Sequence, residues 1–226
     1  MNEPTTLPTT VSPPSTKKGE ETKARILAAA TELIHRNGFR KTGLTDILVA
    51  SGVPKGSFYF YFESKDALGK ELLARFRERQ RELLLTKVFP PDGRAMPQLL
   101  AFFQETLRSQ TEGGCKAGCL LGNLAAEITD ENPGIQQEIA ETFLELKQIM
   151  AGAITRGQTS GELRRDFQAD AAAEFLISVM EGSILVAKAR RDPAAIESST
   201  VMIARYLTTL ATESGTAPSA QTGGKA

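Results

Sequence analysis

The chain contains no tryptophan, one histidine and two cysteines in 226 residues, and aromatic residues make up 6 % of it. A single histidine, His35, excludes the multi-histidine sets of most catalytic metal sites. It also leaves a Ser-His-Asp arrangement with no positioned partner to signal it. His35 directly follows Ile34, off the apolar stripe of its helix, and reads as a solvated surface residue. Cys115 and Cys119 are four residues apart. That is neither a Cys-x-x-Cys redox pair nor, without further Cys or His, a zinc site, so no metal and no cofactor are expected. No window approaches 18 consecutive apolar residues, so no membrane span is expected. The start of the chain, Pro-, Thr- and Ser-rich, has no apolar stretch of the export type. The cysteines are therefore expected to be reduced thiols in a cytoplasmic protein.

The formal net charge is zero, but it is unevenly placed. From Lys17 to Lys87 there are 15 lysines and arginines against 9 acidic residues, a balance of +6; from Val88 onward the balance is −5. Such asymmetry points to a nucleic-acid-binding end and an end with another task. The apolar spacing is helical throughout, with no strand signal and no internal repeat. The expected fold is all-α: an N-terminal three-helix helix-turn-helix domain followed by a C-terminal helical domain. Residues 1–18 read as a disordered arm, 19–64 as the helix-turn-helix domain and 65–90 as a connecting helix. Residues 91–212 read as a regulatory and dimerisation domain, after the break at Pro90-Pro91-Asp92-Gly93, and 213–226 as a disordered tail.

Residues 44–62 carry the most information. They predict a short helix, a turn at Gly52 that tolerates positive φ, and a second short helix started by Pro54. Thr45 is placed to cap the first helix, with Asp46 at the positive end of its dipole. Ile47, Ala50 and Val53, spaced by three, predict its inward stripe. Phe58 and Phe62 predict core packing. Such a pair places its second helix in the major groove of duplex DNA.

Thr45-Asp46-Ile47, Ser51-Gly52-Val53, Lys55-Gly56-Ser57, Tyr59, Tyr61-Phe62 and Ser64-Lys65-Asp66-Ala67-Leu68 resemble the TetR family of bacterial transcriptional regulators. The opening helix, Arg25 to Ala30 and on to Asn37-Gly38-Phe39, shares this resemblance, which spans roughly residues 20 to 80. It implies a homodimeric DNA-binding regulator, a repressor on a palindromic operator, with the last two helices forming the dimer interface. It makes Lys55 and Tyr59 to Tyr61 the groove-facing residues. Gly56 allows close backbone approach beside Ser57. Thr42, Thr45 and Lys65 suit phosphate, as does the hydroxyl of Tyr61. Two positions depart from the family pattern: Phe60 often stands as His and can make only apolar contact, for instance with a thymine methyl. Leu48 is larger than usual.

The segment Cys119-Leu120-Leu121-Gly122-Asn123 resembles a TetR subgroup in which a cysteine at the position of Cys119 senses oxidants or electrophiles. A cysteine at a helix N-terminus has its thiolate favoured by the dipole, and Lys188, late in the penultimate helix, is a candidate neighbouring charge. Asn123 belongs to the same segment. The residues alone leave two readings of Cys119, a reactive thiol or an inert pocket or core cysteine. The expected effector is thus a small molecule or an electrophile. A competing function class is a helical small-molecule-binding enzyme or carrier with a vestigial DNA-binding domain, although no catalytic set signals it.

Overall fold

The computed structural model describes residues 17–128 and 132–213. The expected arm and tail lie outside the described residues, except at their inner edges: Lys17 and Lys18, assigned to the arm, are the first residues of a helix. Among the described residues the regular structure is helical. The elements are α1 (Lys17–Asn37), α2 (Leu44–Ser51), α3 (Lys55–Tyr61), α4 (Lys65–Leu83), α5 (Ala95–Glu112), α6 (Leu120–Glu127), α7 (Pro133–Ser160), α8 (Ala169–Arg190) and α9 (Ala194–Leu210). A π-helical turn, Leu84–Val88, continues α4 and closes where Phe89 N–H donates to Leu84 O. A lone antiparallel bridge joins Leu163 to Ala211.

The local signals for the first four helices act as their chemistry requires. Gly38 leaves α1 with φ +87°, and Gly52 leaves α2 with φ +62°. Both are left-handed conformations that a Cβ disfavours. Ser64 caps α4 by accepting from Ala67 N–H at 3.0 Å. Pro54 sits one place earlier than expected, as the N-cap of α3. At α2 the cap is Gly43, not Thr45: the helix begins two residues sooner, and Asp46 Oδ2 accepts from Gly43 N–H at 3.0 Å. The inward stripe of α2 also differs. Ile47 and Val53 are buried, but Ala50 is exposed and Ser51 takes the buried position. Positions 44, 47, 48 and 51 follow the 3.6-residue period, which a strict spacing of three overruns.

Two apolar cores result. The first gathers α1 to α4 around Ile26, Ile47, Phe58 and Leu68, and it also takes in Leu120, Leu121 and Leu124 of α6 and Ile135 and Ile139 of α7. The second is built from α5, the C-terminal part of α7, α8 and α9. Cys119 and Phe143 pack against both. The N-terminus of α5 is held by Glu162, whose carboxylate accepts from Ala95 N–H at 2.8 Å and Met96 N–H at 3.2 Å. Asp170 lies in the first turn of α8 and is not its cap. Gln168 holds that place, and Asp170 pairs with Lys147 at 2.7 Å.

Candidate nucleic-acid interface and cavity

The exposed side of α3 is built from Lys55, Gly56, Ser57, Tyr59 and Phe60. Phe58, which is 0 % exposed, anchors the opposite side, and its ring meets Tyr59 edge-on at 5.4 Å. Tyr59 is 49 % and Phe60 65 % exposed, so two aromatic rings stand in water beside a lysine. A Cβ at Gly56 would meet nothing within 4 Å, so this stretch of backbone is open to a close approach. Arg25 of α1 fixes the turn before α3, donating to Ser51 O at 2.6 Å and Gly52 O at 3.2 Å. Tyr61 is half-buried against the first core.

Two expected phosphate ligands are otherwise engaged. Thr42 is 1 % exposed, and its hydroxyl donates to Gly38 O at 2.7 Å, so it has none to offer a partner. Lys65 Nζ donates to Phe39 O at 2.6 Å and lies 4.3 Å from the centre of the Phe39 ring. Burial holds its pKa below the usual lysine value, against the pull of Asp66 and Glu127. Lys65 is therefore an internal tie, because a short side chain-to-backbone path to Phe39 opens once α1 and α4 pack. Thr45 is exposed at the start of α2.

Between the two cores lies a cavity of about 740 Å³. Phe76, Phe102, Leu146, Ile149 and Met180 give it apolar walls, while His35, Cys119 and Glu181 are among its polar lining residues. His35 corrects the surface reading: it is half-buried, and its Nε2 is fully buried with no hydrogen-bond partner among the described residues. It lies near the C-terminus of α1, so the first domain contributes to the cavity wall.

Cys119 is the N-cap of α6, as the sequence suggests. Of the two readings of Cys119, its ionisation runs against the dipole-activated thiol. Burial pushes the thiol up to about 12, with the charge of Glu181 adding to the effect; the amides of Gly122 and Leu121 pull the other way and lose. Burial also raises the pKa of Glu181, which lines the same cavity. Dipole stabilisation fades beyond the first turn of an exposed helix and cannot offset removal from water together with an adjacent carboxylate. Lys188 does come to this loop, but its Nζ donates to Asn123 Oδ1 at 2.5 Å. Asn123 Nδ2 in turn donates to Ala117 O at 2.7 Å, so the two residues brace the loop instead of charging the thiol. Glu181 escaped sequence reading because nothing in a carboxylate midway along α8 marks a neighbour 62 residues earlier.

The far end of α6 reaches the DNA-binding unit. Glu127 accepts from Arg40 N–H at 3.1 Å, in the loop between α1 and α2. A Cβ on Gly38 would come within 2.2 Å of the Glu127 carboxylate, so the glycine makes room for this contact.

Residues 26–72 match the family model described as bacterial regulatory proteins, tetR family, and residues 95–203 match the tetracyclin repressor-like C-terminal domain. The chain is 32 % identical to the transcriptional repressor DhaR of Mycobacterium sp. (strain GP1), over 75 % of this chain and 84 % of that one. It is 27 % identical to the transcriptional repressor NemR of Escherichia coli (strain K12), over 84 % and 95 % respectively. The crystal structure of reduced E. coli NemR superposes with a TM-score of 0.74, at 27 % identity, covering 80 % of this chain and 95 % of that one. With an exposed aromatic recognition helix on a basic unit, and relatives that are regulators and not enzymes, this chain belongs to the TetR family of DNA-binding transcriptional regulators.

Proposed function

We propose that the protein is a homodimeric repressor, acting in the cytoplasm on a palindromic operator, which it releases when a small molecule fills the cavity or an electrophile modifies Cys119. The observation that carries this reading is the position of Cys119. It lines the cavity, packs against both cores and opens α6, whose other end holds the loop before α2. An occupant that displaces α6 acts on the α1–α2 loop through one rigid eight-residue helix. The two recognition helices would then no longer match successive major grooves. A 100-fold loss of operator affinity needs about 2.7 kcal/mol of coupling, within the usual allosteric range.

Dimerisation is supported by what α8 and α9 leave outside. Phe175, Leu185 and Val186 of α8 and Val201 and Met202 of α9 are exposed large apolar side chains. A shared apolar face on two helices suits an isologous four-helix contact. By this reading Lys55, Gly56, Ser57, Tyr59 and Phe60 meet the groove, and Thr45 and Tyr61 lie at its phosphate edge.

The test is fluorescence anisotropy on the DNA upstream of the protein's own coding region, with sedimentation to set the oligomeric state. The wild-type protein should bind as a dimer, and Val201→Asp should be monomeric and lose the operator. Tight operator binding by a monomeric Val201→Asp protein would sink the dimer model.

A further inference from the structure

The recognition helix carries two stripes of different chemistry. Its sequence is Lys55-Gly56-Ser57-Phe58-Tyr59-Phe60-Tyr61. Lys55 and Tyr59, four apart, share one stripe, and Gly56 and Phe60, also four apart, share the next. The first stripe bears a cation and a hydroxyl. The second has no hydrogen-bonding side chain at all. No arginine, asparagine or glutamine stands in α3, so the forked groups that read guanine or adenine through two bonds are missing from it.

The apolar stripe is nonetheless held in place. The Phe60 ring meets the Tyr61 ring edge-on at 5.0 Å, and Tyr61 packs against the first core. This pairing gives an exposed ring a fixed bearing. One turn earlier, Gly56 adds no side chain and has open space before it, so the helix can lie close enough for the ring to reach base edges. A ring held in water gains free energy by burial against another apolar group. Among the four bases only thymine presents one on its major-groove edge, the C5-methyl group.

We propose that Phe60 reads the C5-methyl group of one pyrimidine in each operator half-site, so that thymine and 5-methylcytosine are equivalent there and uracil and cytosine are both disfavoured. This rests on the reading of α3 as the groove-facing helix. A phenyl ring neither donates to O4 of thymine nor accepts from the N4 amino group of cytosine, so the methyl group alone carries the choice. Methylation of cytosine at C5 therefore creates a contact at this position.

The experiment uses the full chain to select duplexes from a random pool. The selected palindrome is then resynthesised with one position per half-site changed at a time, and anisotropy gives the affinities. At one thymine per half-site, uracil, which lacks only the methyl group, should weaken binding about fourfold, and about 15-fold when both half-sites are changed. A duplex with 5-methylcytosine·guanine at that position should bind as the thymine duplex does, and one with cytosine·guanine as the uracil duplex does. Phe60→Ala should keep the wild-type melting temperature, because the ring is exposed, and lose the distinction between methylated and unmethylated bases. Equal affinity for thymine and uracil at every thymine position overturns the proposal, as does an undiminished preference in Phe60→Ala. A preference for thymine over uracil that 5-methylcytosine does not restore assigns the base to a hydrogen-bonding side chain and overturns it too. Should the pool yield no duplex, the reading of α3 as a groove-facing helix fails and takes this inference with it. A selected duplex that is indifferent to the methyl group removes this inference alone.

Discussion

The helix-turn-helix unit and the regulatory half bury their side chains to different ends. In the first, Ile26, Ile47, Phe58 and Leu68 are completely buried, and the polar groups around them close short local circuits. Arg25 holds the turn, Asp46 holds Gly43, Thr42 holds Gly38 and Lys65 holds Phe39. The regulatory half uses helices of up to 28 residues, yet together with the first unit it lines a cavity of about 740 Å³. Polar groups at that space are left incomplete: an imidazole nitrogen buried with no partner among the described residues, and a thiol and a carboxyl whose pKa values burial raises. Closed circuits and dense packing hold α3 rigid for a shape-specific partner. Incomplete groups around a cavity leave interactions for an occupant to make.

The contrast breaks most visibly under truncation of the first core. Phe58→Ala should cost about 3–5 kcal/mol of unfolding free energy in urea, because a fully buried ring leaves a cavity that cannot collapse. An unchanged urea midpoint would mean that α3 is not anchored as described.

A smaller effect separates residues that close circuits from residues that face outward. Lys55→Ala and Tyr59→Ala should each weaken operator binding by about 1–3 kcal/mol while thermal stability holds. Lys65→Met should do the converse, costing about 1–2 kcal/mol of stability through the lost charged hydrogen bond and ring contact. The salt dependence of its DNA binding should stay that of the wild type. A salt slope reduced by about one in the Lys65 variant would return this lysine to the phosphates.

The smallest expected effect sharpens the comparison at the cavity. In the folded protein Cys119 keeps its proton up to about pH 12, above the ordinary thiol value of 9.0. Below pH 9 both states carry the S–H group and the shift contributes nothing to the pH dependence. Above it the unfolded chain loses the proton first, so the folded state binds more protons and stability falls as pH rises. Urea melts of wild type and Cys119→Ser between pH 8 and 10 should show the steeper decline in the wild type. Parallel curves would mean that the thiol is not shifted.

Much of the first unit was legible along the chain because its determinants are local. Positive φ at Gly38 and Gly52, the Ser64 cap and the burial of Phe58 all follow from neighbours within a few residues. Errors there were of register: Gly43 displaced Thr45 as the cap, and Ser51 displaced Ala50 from the buried stripe. In the regulatory half the helices were equally readable, since an apolar period needs no knowledge of its partner. The surroundings of Cys119 were not. Its helix-start position was visible in the sequence, but a pKa depends on burial and on nearby charges, and here those come from Glu181 on another helix.

The sequence by itself determined an all-helical chain, a helix-turn-helix with an exposed aromatic recognition face, a basic first half and a cysteine at the head of a short helix. These are properties of residue order, periodicity and net charge. Only the tertiary structure decided that His35 lines a cavity, that Lys65 and Thr42 are internal ties, that Lys188 serves Asn123, and that α6 links Cys119 to Arg40. Each of those joins groups through space, and a side chain with several possible partners takes the one that packing brings within reach and shields from water.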